Sequence, residues 1–155
     1  MVSLNNGDMP GVGIGVMVIN DEGKVLLILR NSDPKLADSD MHLEGTWTLP
    51  AGKVRYDETI IEAAKRKVKE ETNLDVENLS VISINDDINI YAHFLTIGLM
   101  SDKFSGVIDL GDTKEHVDYN FYDLDNLPEN LCEPSKTIIK NYRENKIYQG
   151  GDNNG

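Results

Sequence analysis

Glu70 and Glu71, adjacent glutamates near the end of an amphipathic segment, are the side chains in this sequence best suited to hold a divalent cation. Residues 58–72 predict a helix, in which each residue advances by about 100°. One apolar stripe of that helix contains Ile60, Ile61, Ala64 and Val68. Glu71 falls inside the apolar arc, where a lone carboxylate is costly to bury unless a cation or hydrogen-bond donors meet it. Two neighbouring carboxylates that face one point are the hard oxygen ligands expected for Mg²⁺ or Mn²⁺.

Two plainer interpretations of this segment stay open. Glu58, Glu62, Arg66 and Glu70 recur every four residues. Such a ladder also suits a solvated helix face whose salt bridges contribute about 0.3–0.5 kcal/mol each. The second alternative places Glu71 at a frayed helix end, in contact with water. Periodicity alone does not choose between these interpretations and a metal site.

The elements that position this helix follow from the hydrophobic pattern. Alternation over residues 11–19 predicts a strand, and the turn at 20–23 predicts a hairpin with a return strand over 24–30. A glycine-rich phosphate loop is disfavoured at residues 11–15 because no helix follows them. The metal-binding helix is predicted to begin with Asp57 as its cap and to run to about Asn73.

The remaining elements complete a mixed fold. Further strands are predicted over residues 47–50, 53–54, 79–84, 88–100, 104–110 and 117–122, with turns at 51–52 and 86–87, and a second helix over 134–145. Strands, helix, strands and helix in this order predict an α/β (α+β) fold, in which a mixed sheet is sandwiched between helices.

Composition restricts the classes of partner. The 155 residues suffice for one domain with a core, and 27 acidic against 15 basic residues give a formal net charge of −12. Such a field repels polyanions, so we expect no binding to duplex nucleic acid and none to a membrane surface. A small phosphorylated nucleotide stays compatible with this charge, because a divalent metal offsets it locally.

The single cysteine and the chain ends bear on compartment and boundaries. Cys132 alone excludes an intrachain disulfide framework, so we expect a reducing, cytoplasmic location. The first residues carry no Lys or Arg before a short apolar run, so neither a signal peptide nor a membrane span is expected. The predicted organisation is an N-terminal extension over 1–9, a single domain over 10–146 and a polar, disordered tail over 147–155.

The stretch over residues 52–74 resembles the Nudix box. That pattern reads Gly, five residues, Glu, seven residues, Arg-Glu, an aliphatic residue, any residue, Glu-Glu, any residue, Gly and an aliphatic residue. The matching positions are Gly52, Glu58, Arg66, Val68, Glu70, Glu71 and Leu74, with both long gaps preserved. The resemblance covers roughly residues 10–145 and implies the Nudix fold.

The resemblance also implies an activity and a set of roles. Nudix enzymes hydrolyse the pyrophosphate bond of a nucleoside diphosphate linked to another moiety, as in a nucleoside triphosphate, a nucleotide sugar or ADP-ribose. Carried over, Gly52, Glu58, Glu70 and Glu71 are the implied positions for holding Mg²⁺ or Mn²⁺, and Arg66 orients the glutamates. Family members are often dimers, so a homodimer is a further expectation.

Two positions depart from the family pattern. Asn73 replaces the last glycine, and asparagine tolerates a left-handed helix end. Lys67 replaces the glutamate after Arg66, which in many members binds metal and acts as base. Since Lys67 lies three and four residues before Glu70 and Glu71, we hypothesise that its ammonium pairs with them and partly substitutes for a metal cation.

Lys67 keeps a second interpretation open, an impaired Nudix domain that binds a nucleotide or a partner without turnover. A purely structural scaffold is disfavoured, because a scaffold gains stability when an apolar residue replaces Glu71.

Glu115 and His116 are the candidates for a relocated base. This stretch resembles that of the GDP-mannose mannosyl hydrolases, a branch that lacks the usual box glutamate and uses a loop histidine. An imidazole with its ordinary pKa of about 6.5 suits general-base work. The alternative is an exposed loop histidine without a role; His42 and His93 are assigned to a loop and a strand.

Substrate-binding candidates are less specific. Arg30, at the end of a predicted strand, is a candidate phosphate contact or a strand-edge salt bridge. Trp47 and Tyr56 are candidates for stacking on a base, and the same holds for Tyr91, Phe94 and Tyr119.

Overall fold

The computed structural model describes residues 9–37 and 39–149, so the predicted extension lies outside the described residues except for Met9. The strands are β1 (Gly11–Val18), β2 (Val25–Arg30), β3 (Trp47–Thr48), β4 (Ala51–Lys53), β5 (Asp75–Glu77), β6 (Ser80–Ile88), β7 (His93–Ser101), β8 (Lys103–Ser105) and β9 (His116–Tyr122). The helices are α1 (Ile60–Thr72) and α2 (Glu133–Glu144). Across the described residues, neither helix is long and apolar enough to cross a membrane.

The strands form two main sheets and a small ribbon. One sheet has the order β4-β1-β7-β6, the second has the order β3-β2-β9, and β5 pairs with β8. Strand β1 runs parallel to β7 and antiparallel to β4, which makes the first sheet mixed. The structure therefore confirms the predicted mixed α+β architecture.

Strand β1 is buried on both faces, and each face belongs to a different core. Ile14, Val16 and Val18 pack in a cluster with Ala64 and Val68 of α1. Met17 and Ile19 pack in a second cluster, together with Ile138 and Ile139 of α2. Successive apolar side chains of β1 point to opposite faces of the first sheet, so each face packs against a helix.

The predicted hairpin between β1 and β2 forms only at its turn. The Gly23 amide donates to the Asn20 carbonyl at 2.9 Å, and Ile19 forms an isolated bridge with Val25. Beyond that bridge the two strands enter different sheets, where β1 pairs with β4 and β7, and β2 pairs with β3 and β9. The prediction of a continuous hairpin is wrong, because both edges of each strand are taken by other strands.

Helix α1 begins two residues later than predicted. Its cap is Thr59, which exchanges hydrogen bonds with Glu62 in a capping box. Asp57 has φ of 62°, a left-handed conformation that lies outside the helix, so the prediction of Asp57 as cap is wrong. Asn73 ends the helix with φ of 67°, which confirms that asparagine serves here as a left-handed cap.

Three other predicted boundaries are corrected. Ala51 and Gly52 lie within β4 and not in a turn. Strand β6 continues through Asp86 and Asp87, and the turn follows at residues 89–92. The inward positions of β6 are Ser83, Asn85 and Asp87. Because these buried residues are polar, this part of β6 lacks the apolar alternation from which a strand is predicted. Strand β8 covers only residues 103–105 in place of the predicted 104–110, and β9 begins one residue earlier than predicted, at His116.

The C-terminal segment is partly ordered against the edge of β6. The Ile84 amide donates to the Ile147 carbonyl at 2.9 Å, and the Gln149 side chain donates to Asn141 at 2.7 Å. Residues 147–149 therefore do not belong to a disordered tail, contrary to the prediction. The remaining tail positions, 150–155, lie outside the described residues.

Two glycines allow α2 to approach the first sheet closely. Gly15 and Gly98 are paired in register, and Ile138 lies over both. A Cβ on Gly98 would lie 2.7 Å from the Ser83 Cβ and 2.8 Å from the Ile138 Cγ2. A Cβ on Gly15 would meet only the terminal Ile138 Cδ1, at 2.7 Å. Glycine at these positions sets the helix-to-sheet distance.

We expect Gly98→Ala to lower the free energy of unfolding by about 1–3 kcal/mol, because the new methyl overpacks against a Cβ fixed to the neighbouring strand. Gly15→Ala is the matched control, with a smaller loss, since the Ile138 Cδ1 methyl can rotate away. Urea unfolding of both variants measures the difference. Equal losses of unfolding free energy in the two variants would contradict a specific role for the close packing at Gly98.

Arg66 ties α1 to the segment before it. Its Nε donates to Glu58 Oε2 at 2.6 Å, and its Nη2 donates to Glu58 Oε1 at 2.8 Å and to the Lys53 carbonyl at 2.9 Å. The Arg66 hydrogen bonds, with the Arg55 amide next, lower the pKa of Glu58 from 4.5 to about 2. The bidentate pair thus anchors the loop between β4 and α1 onto the helix.

This pair predicts an acid-sensitive contribution to stability. Because the pKa of Glu58 is lowered by folding, its contribution is present above the unfolded value of 4.5 and is lost as the pH falls towards about 2. The difference in free energy of unfolding between the native chain and Glu58→Gln is expected to shrink over that range. Glu129→Gln, at an exposed position, is the control, and urea titrations between pH 3 and about 7 measure both. A pH-independent difference would contradict the assignment.

Candidate active site

A cavity of about 190 Å³ is lined by residues from both main sheets. Its walls include Gly13 of β1, Arg30 of β2, Ala51, Gly52 and Lys53 of β4, Glu71 of α1, Phe94 and Thr96 of β7, Glu115, and His116 of β9. The loop residues 39–41 and Leu43 also line the cavity, as do Ile14, Thr48, Leu49 and Pro134. This is the place where carboxylate, imidazole and guanidinium groups share one concave surface.

Glu71 is buried in this wall, with only 7% of its surface exposed. Its Oε1 accepts a hydrogen bond from the Ala51 amide at 2.9 Å, and the Lys67 ammonium lies 3.6 Å from its Oε2. Burial raises the pKa of Glu71 to about 7, although Lys67 and the Ala51 amide act in the opposite direction. Burial of Glu71 in the apolar arc is confirmed, and the frayed-end alternative is wrong.

Lys67 lies between the two adjacent glutamates. Its Nζ is 3.7 Å from Glu70 Oε1 and 3.6 Å from Glu71 Oε2, which confirms the predicted pairing. The stem of the side chain crosses Gly52, where a Cβ would lie 2.3 Å from Lys67 Cε. The bare backbone of Gly52 therefore leaves room for the present path of the Lys67 side chain.

Glu58 and Glu70 are held outside the cavity wall. Arg66 binds both oxygens of Glu58, and its Nη1 donates to Glu70 Oε1 at 2.9 Å. Arg66 is thus the centre of an ion-pair triad with Glu58 and Glu70. Its pKa is raised, chiefly by the hydrogen bond with Glu58. Of the four residues predicted to hold metal, Gly52 and Glu71 line the cavity, whereas Glu58 and Glu70 do not.

Glu115 and His116 approach Glu71 from β9. One ligand atom of each of the three residues lies within 4.8 Å of the other two. His116 is only 6% exposed, so the exposed-loop alternative is wrong. Burial, with the charges of Arg30 and Lys67, lowers the pKa of His116 to about 4. The imidazole is therefore neutral near pH 7 and has a lone pair for a proton or a metal.

Arg30 also lines the cavity and is almost completely buried. Its Nη2 donates to the Ala37 carbonyl at 2.8 Å, and its Nη1 lies 3.6 Å from Glu115 Oε1. The predicted strand-edge salt bridge is thus present. The same guanidinium faces the cavity, so its role as a phosphate contact stays a proposal.

The aromatic candidates divide between the cavity and other surroundings. Phe94 lines the cavity. Trp47 lies outside the cavity lining and packs edge-on against Tyr122, with ring centroids 5.2 Å apart. Tyr56 is 95% exposed and also lies outside the lining. The structure therefore does not bring Trp47 or Tyr56 to the site, because one serves the α2 core and the other projects into solvent.

Several cavity residues carried no signal in the sequence. Thr96 of β7 faces the cavity across Gly13, with which it is paired in register. The loop over residues 39–43 is held near β4 by a salt bridge of 2.5 Å between Asp40 and Lys53. These contacts depend on long-range register and loop closure, which local periodicity does not report.

The donor set suits a divalent cation. Two carboxylates and one neutral imidazole, mostly removed from water, supply oxygen and nitrogen ligands within reach of one point. The buried Glu71 carboxylate gains most from such an ion, since its charge is poorly solvated.

Comparisons with known proteins agree with this geometry. The family model of the NUDIX domain matches residues 9–142. The ADP-ribose pyrophosphatase of Methanocaldococcus jannaschii is 33% identical over 127 residues, which span 81% of this chain and 69% of that protein. The NAD-capped RNA hydrolase NudC of Photorhabdus laumondii is 32% identical over 120 residues, 77% of this chain. The match spans only 45% of the NudC protein.

Solved structures give the same result for the fold. The MutT NUDIX hydrolase from Burkholderia pseudomallei superposes with a TM-score of 0.76 at 26% identity, covering 86% of this chain and 98% of that one. The MutT protein from Methanosarcina mazei Go1 has a TM-score of 0.72 at 21% identity, with 89% and 94% covered, and supports the fold alone. With the NUDIX match over most of its length and with these relatives, the chain belongs to the Nudix hydrolase family.

Proposed function

We propose that this protein hydrolyses the pyrophosphate bond of a nucleoside diphosphate linked to another moiety, and that it requires a divalent metal, Mg²⁺ or Mn²⁺. The observation that carries the proposal is the convergence of Glu71, Glu115 and His116 on one cavity wall. When bound, the metal supplies positive charge to the diphosphate and lowers the pKa of a bound water.

The other proposed roles belong to individual side chains of the site. Glu71 presents a buried carboxylate to the cavity, and Arg66 holds Glu58 and Glu70 in fixed positions beside it. Gly52, Glu58 and Glu70 are the other metal positions that the family pattern implies, and Arg66 and Lys67 pair with the two glutamates. His116, neutral near pH 7, is proposed to serve the reaction either as the base, with Glu115 as the alternative, or as a ligand of the metal. Arg30 is the proposed phosphate contact, since it lines the same cavity.

ADP-ribose is the first substrate to test. It is the substrate in the name of the relative that matches 81% of this chain. NAD-capped RNA is the substrate in the name of the NudC relatives, but the match to this chain covers only 45% of the NudC protein. The net charge of −12 favours a small substrate over duplex nucleic acid. A homodimer and a cytoplasmic location remain predictions.

We expect the pure protein with Mn²⁺ to release AMP from ADP-ribose, and His116→Ala to lower kcat at least about 100-fold, the usual contribution of a general base. His93→Ala is the matched control, because His93 is an exposed strand residue outside the cavity. Product release is followed by chromatography over ADP-ribose, nucleotide sugars and nucleoside triphosphates. Turnover that is unaffected by His116→Ala would contradict a role for this residue.

A second candidate function is nucleotide binding without turnover. The observation in its favour is Lys67, whose ammonium lies 3.7 and 3.6 Å from the adjacent glutamates. Single-turnover assays with enzyme in excess separate the two functions. Under the second, nucleotide binds unchanged and hydrolysis appears only in Lys67→Glu; under the first, the native chain turns over substrate.

A further inference from the structure

We infer that this chain binds its divalent cation between Glu71, Glu115 and His116, with the imidazole as a nitrogen ligand, and that Lys67 excludes the cation from the Glu70 side of Glu71. The inference deepens the proposed function and rests on it for the identity of the reaction site. Cation binding can nevertheless be measured without any turnover, so the two can fail separately.

The Glu70 side is already occupied by positive charge. The Lys67 ammonium lies 3.7 Å from Glu70 Oε1 and 3.6 Å from Glu71 Oε2. Arg66 Nη1 donates to Glu70 Oε1 at 2.9 Å as well. The Lys67 stem lies directly over Gly52, where a Cβ would come within 2.3 Å of Lys67 Cε. A divalent cation there meets direct repulsion from two fixed cations.

Both carboxylate oxygens of Glu58 likewise already accept hydrogen bonds. Arg66 donates to both of its oxygens, at 2.6 and 2.8 Å, and the Arg55 amide donates to Oε1 at 2.9 Å. A cation at Glu58 would have to displace a bidentate guanidinium. Of the three box glutamates that the family pattern implies as ligands, Glu71 is the one that faces the cavity.

The opposite side of Glu71 offers a complete ligand set. One ligand atom each from Glu71, Glu115 and His116 lies within 4.8 Å of the others. Ligands bonded to one ion at about 2.0–2.2 Å lie at most about 4.4 Å apart, so small side-chain rotations close the site. Both carboxylates have a second partner that orients them, the Ala51 amide for Glu71 and Arg30 for Glu115.

His116 is the second buried group on this side of the cavity. Its side chain is only 6% exposed, and no nitrogen of its ring is among the fully shielded, unpaired side-chain atoms of the described residues. A neutral imidazole that faces a cavity can donate its lone pair to a cation. The ring lies beside Glu71 and Glu115 on the cavity wall, so a cation at this point satisfies it.

The nitrogen ligand changes which metal fits. Sites built from carboxylates and water suit Mg²⁺ and Mn²⁺, whereas imidazole suits later transition metals such as Fe²⁺ or Zn²⁺. A site of two carboxylates with one imidazole is therefore expected to bind a transition metal more tightly than Mg²⁺. A coordinated imidazole has no free lone pair at that nitrogen, so His116 then acts through the metal and not as the base.

The test is Mn²⁺ binding to the full chain, followed by electron paramagnetic resonance, with competition by Mg²⁺. Pulsed measurements on the bound Mn²⁺ are expected to show coupling to an imidazole ¹⁴N. His116→Gln and Glu115→Gln are each expected to lower the affinity for Mn²⁺ at least tenfold, because each removes one ligand. His93→Gln is the matched control and keeps both the affinity and the ¹⁴N coupling.

Glu70→Gln distinguishes the two sides of Glu71. The inference expects less than about a threefold change in Mn²⁺ affinity, since Arg66 and Lys67 already occupy that carboxylate. A tenfold loss of Mn²⁺ affinity in Glu70→Gln, together with native affinity in His116→Gln and no ¹⁴N coupling in the native chain, would overturn it. Thermal unfolding of the metal-free variants checks folding, and Glu115→Gln, at a half-exposed position, decides if His116→Gln does not fold.

The outcomes for binding and reaction are separate. Mn²⁺ held through His116 by a protein that hydrolyses none of the tested nucleotides supports this inference and contradicts the proposed function. Hydrolysis with Mn²⁺ bound through Glu70 contradicts this inference and leaves the proposed function standing.

Discussion

The rest of the site depends on how the buried carboxylate of Glu71 is compensated. The apolar face of α1 carries this group beneath β4, where water reaches little of it. One backbone amide, from Ala51, and one ammonium, from Lys67, face its oxygens. These partners do not fully offset the loss of hydration, since the pKa of Glu71 remains raised to about 7. The site is therefore built to gain from a further positive charge.

Positive side chains divide the acidic surface of α1 into two parts. Arg66 joins Glu58 and Glu70 in a rigid triad that also reaches the Lys53 carbonyl. Lys67 closes the space between that triad and Glu71. A family member with a glutamate after the box arginine carries negative charge where this chain carries an ammonium. Arg66 and Lys67 thus pair with Glu70, whereas one ligand atom each of Glu115 and His116 lies within 4.8 Å of Glu71.

Geometry in the sheets supports this division. The bare backbone of Gly52 gives Lys67 its path across β4, and Gly15 and Gly98 bring α2 close to the same sheet. Strand β2 leaves β1 after the turn and pairs with β9, which carries Arg30 into register with His116. That pairing brings the salt bridge between Arg30 and Glu115 to the cavity. Sheet topology and site electrostatics are therefore linked through a few backbone positions.

The sequence by itself determined the helix that carries Glu70 and Glu71, the left-handed end at Asn73 and the mixed α+β fold; it placed Glu71 in the apolar arc but left a frayed helix end open. These features follow from helical periodicity, local conformational preference and element order, which are all local properties of the chain. The resemblance at the box also identified the family. The helix cap at Thr59, rather than Asp57, was missed although its signal is local, since Thr59 and Glu62 form a recognisable capping box.

Only the tertiary structure decided which candidate residues share a cavity. It left Glu58 and Glu70 off the wall that Glu71 lines, excluded Trp47 and Tyr56, kept Phe94 and added Thr96. It also split β1 from β2, and it buried polar residues along β6 where a surface turn was expected. Each of these results depends on strand pairing or on ion pairs between residues far apart in the chain. The local alternation of apolar and polar residues does not encode such long-range contacts.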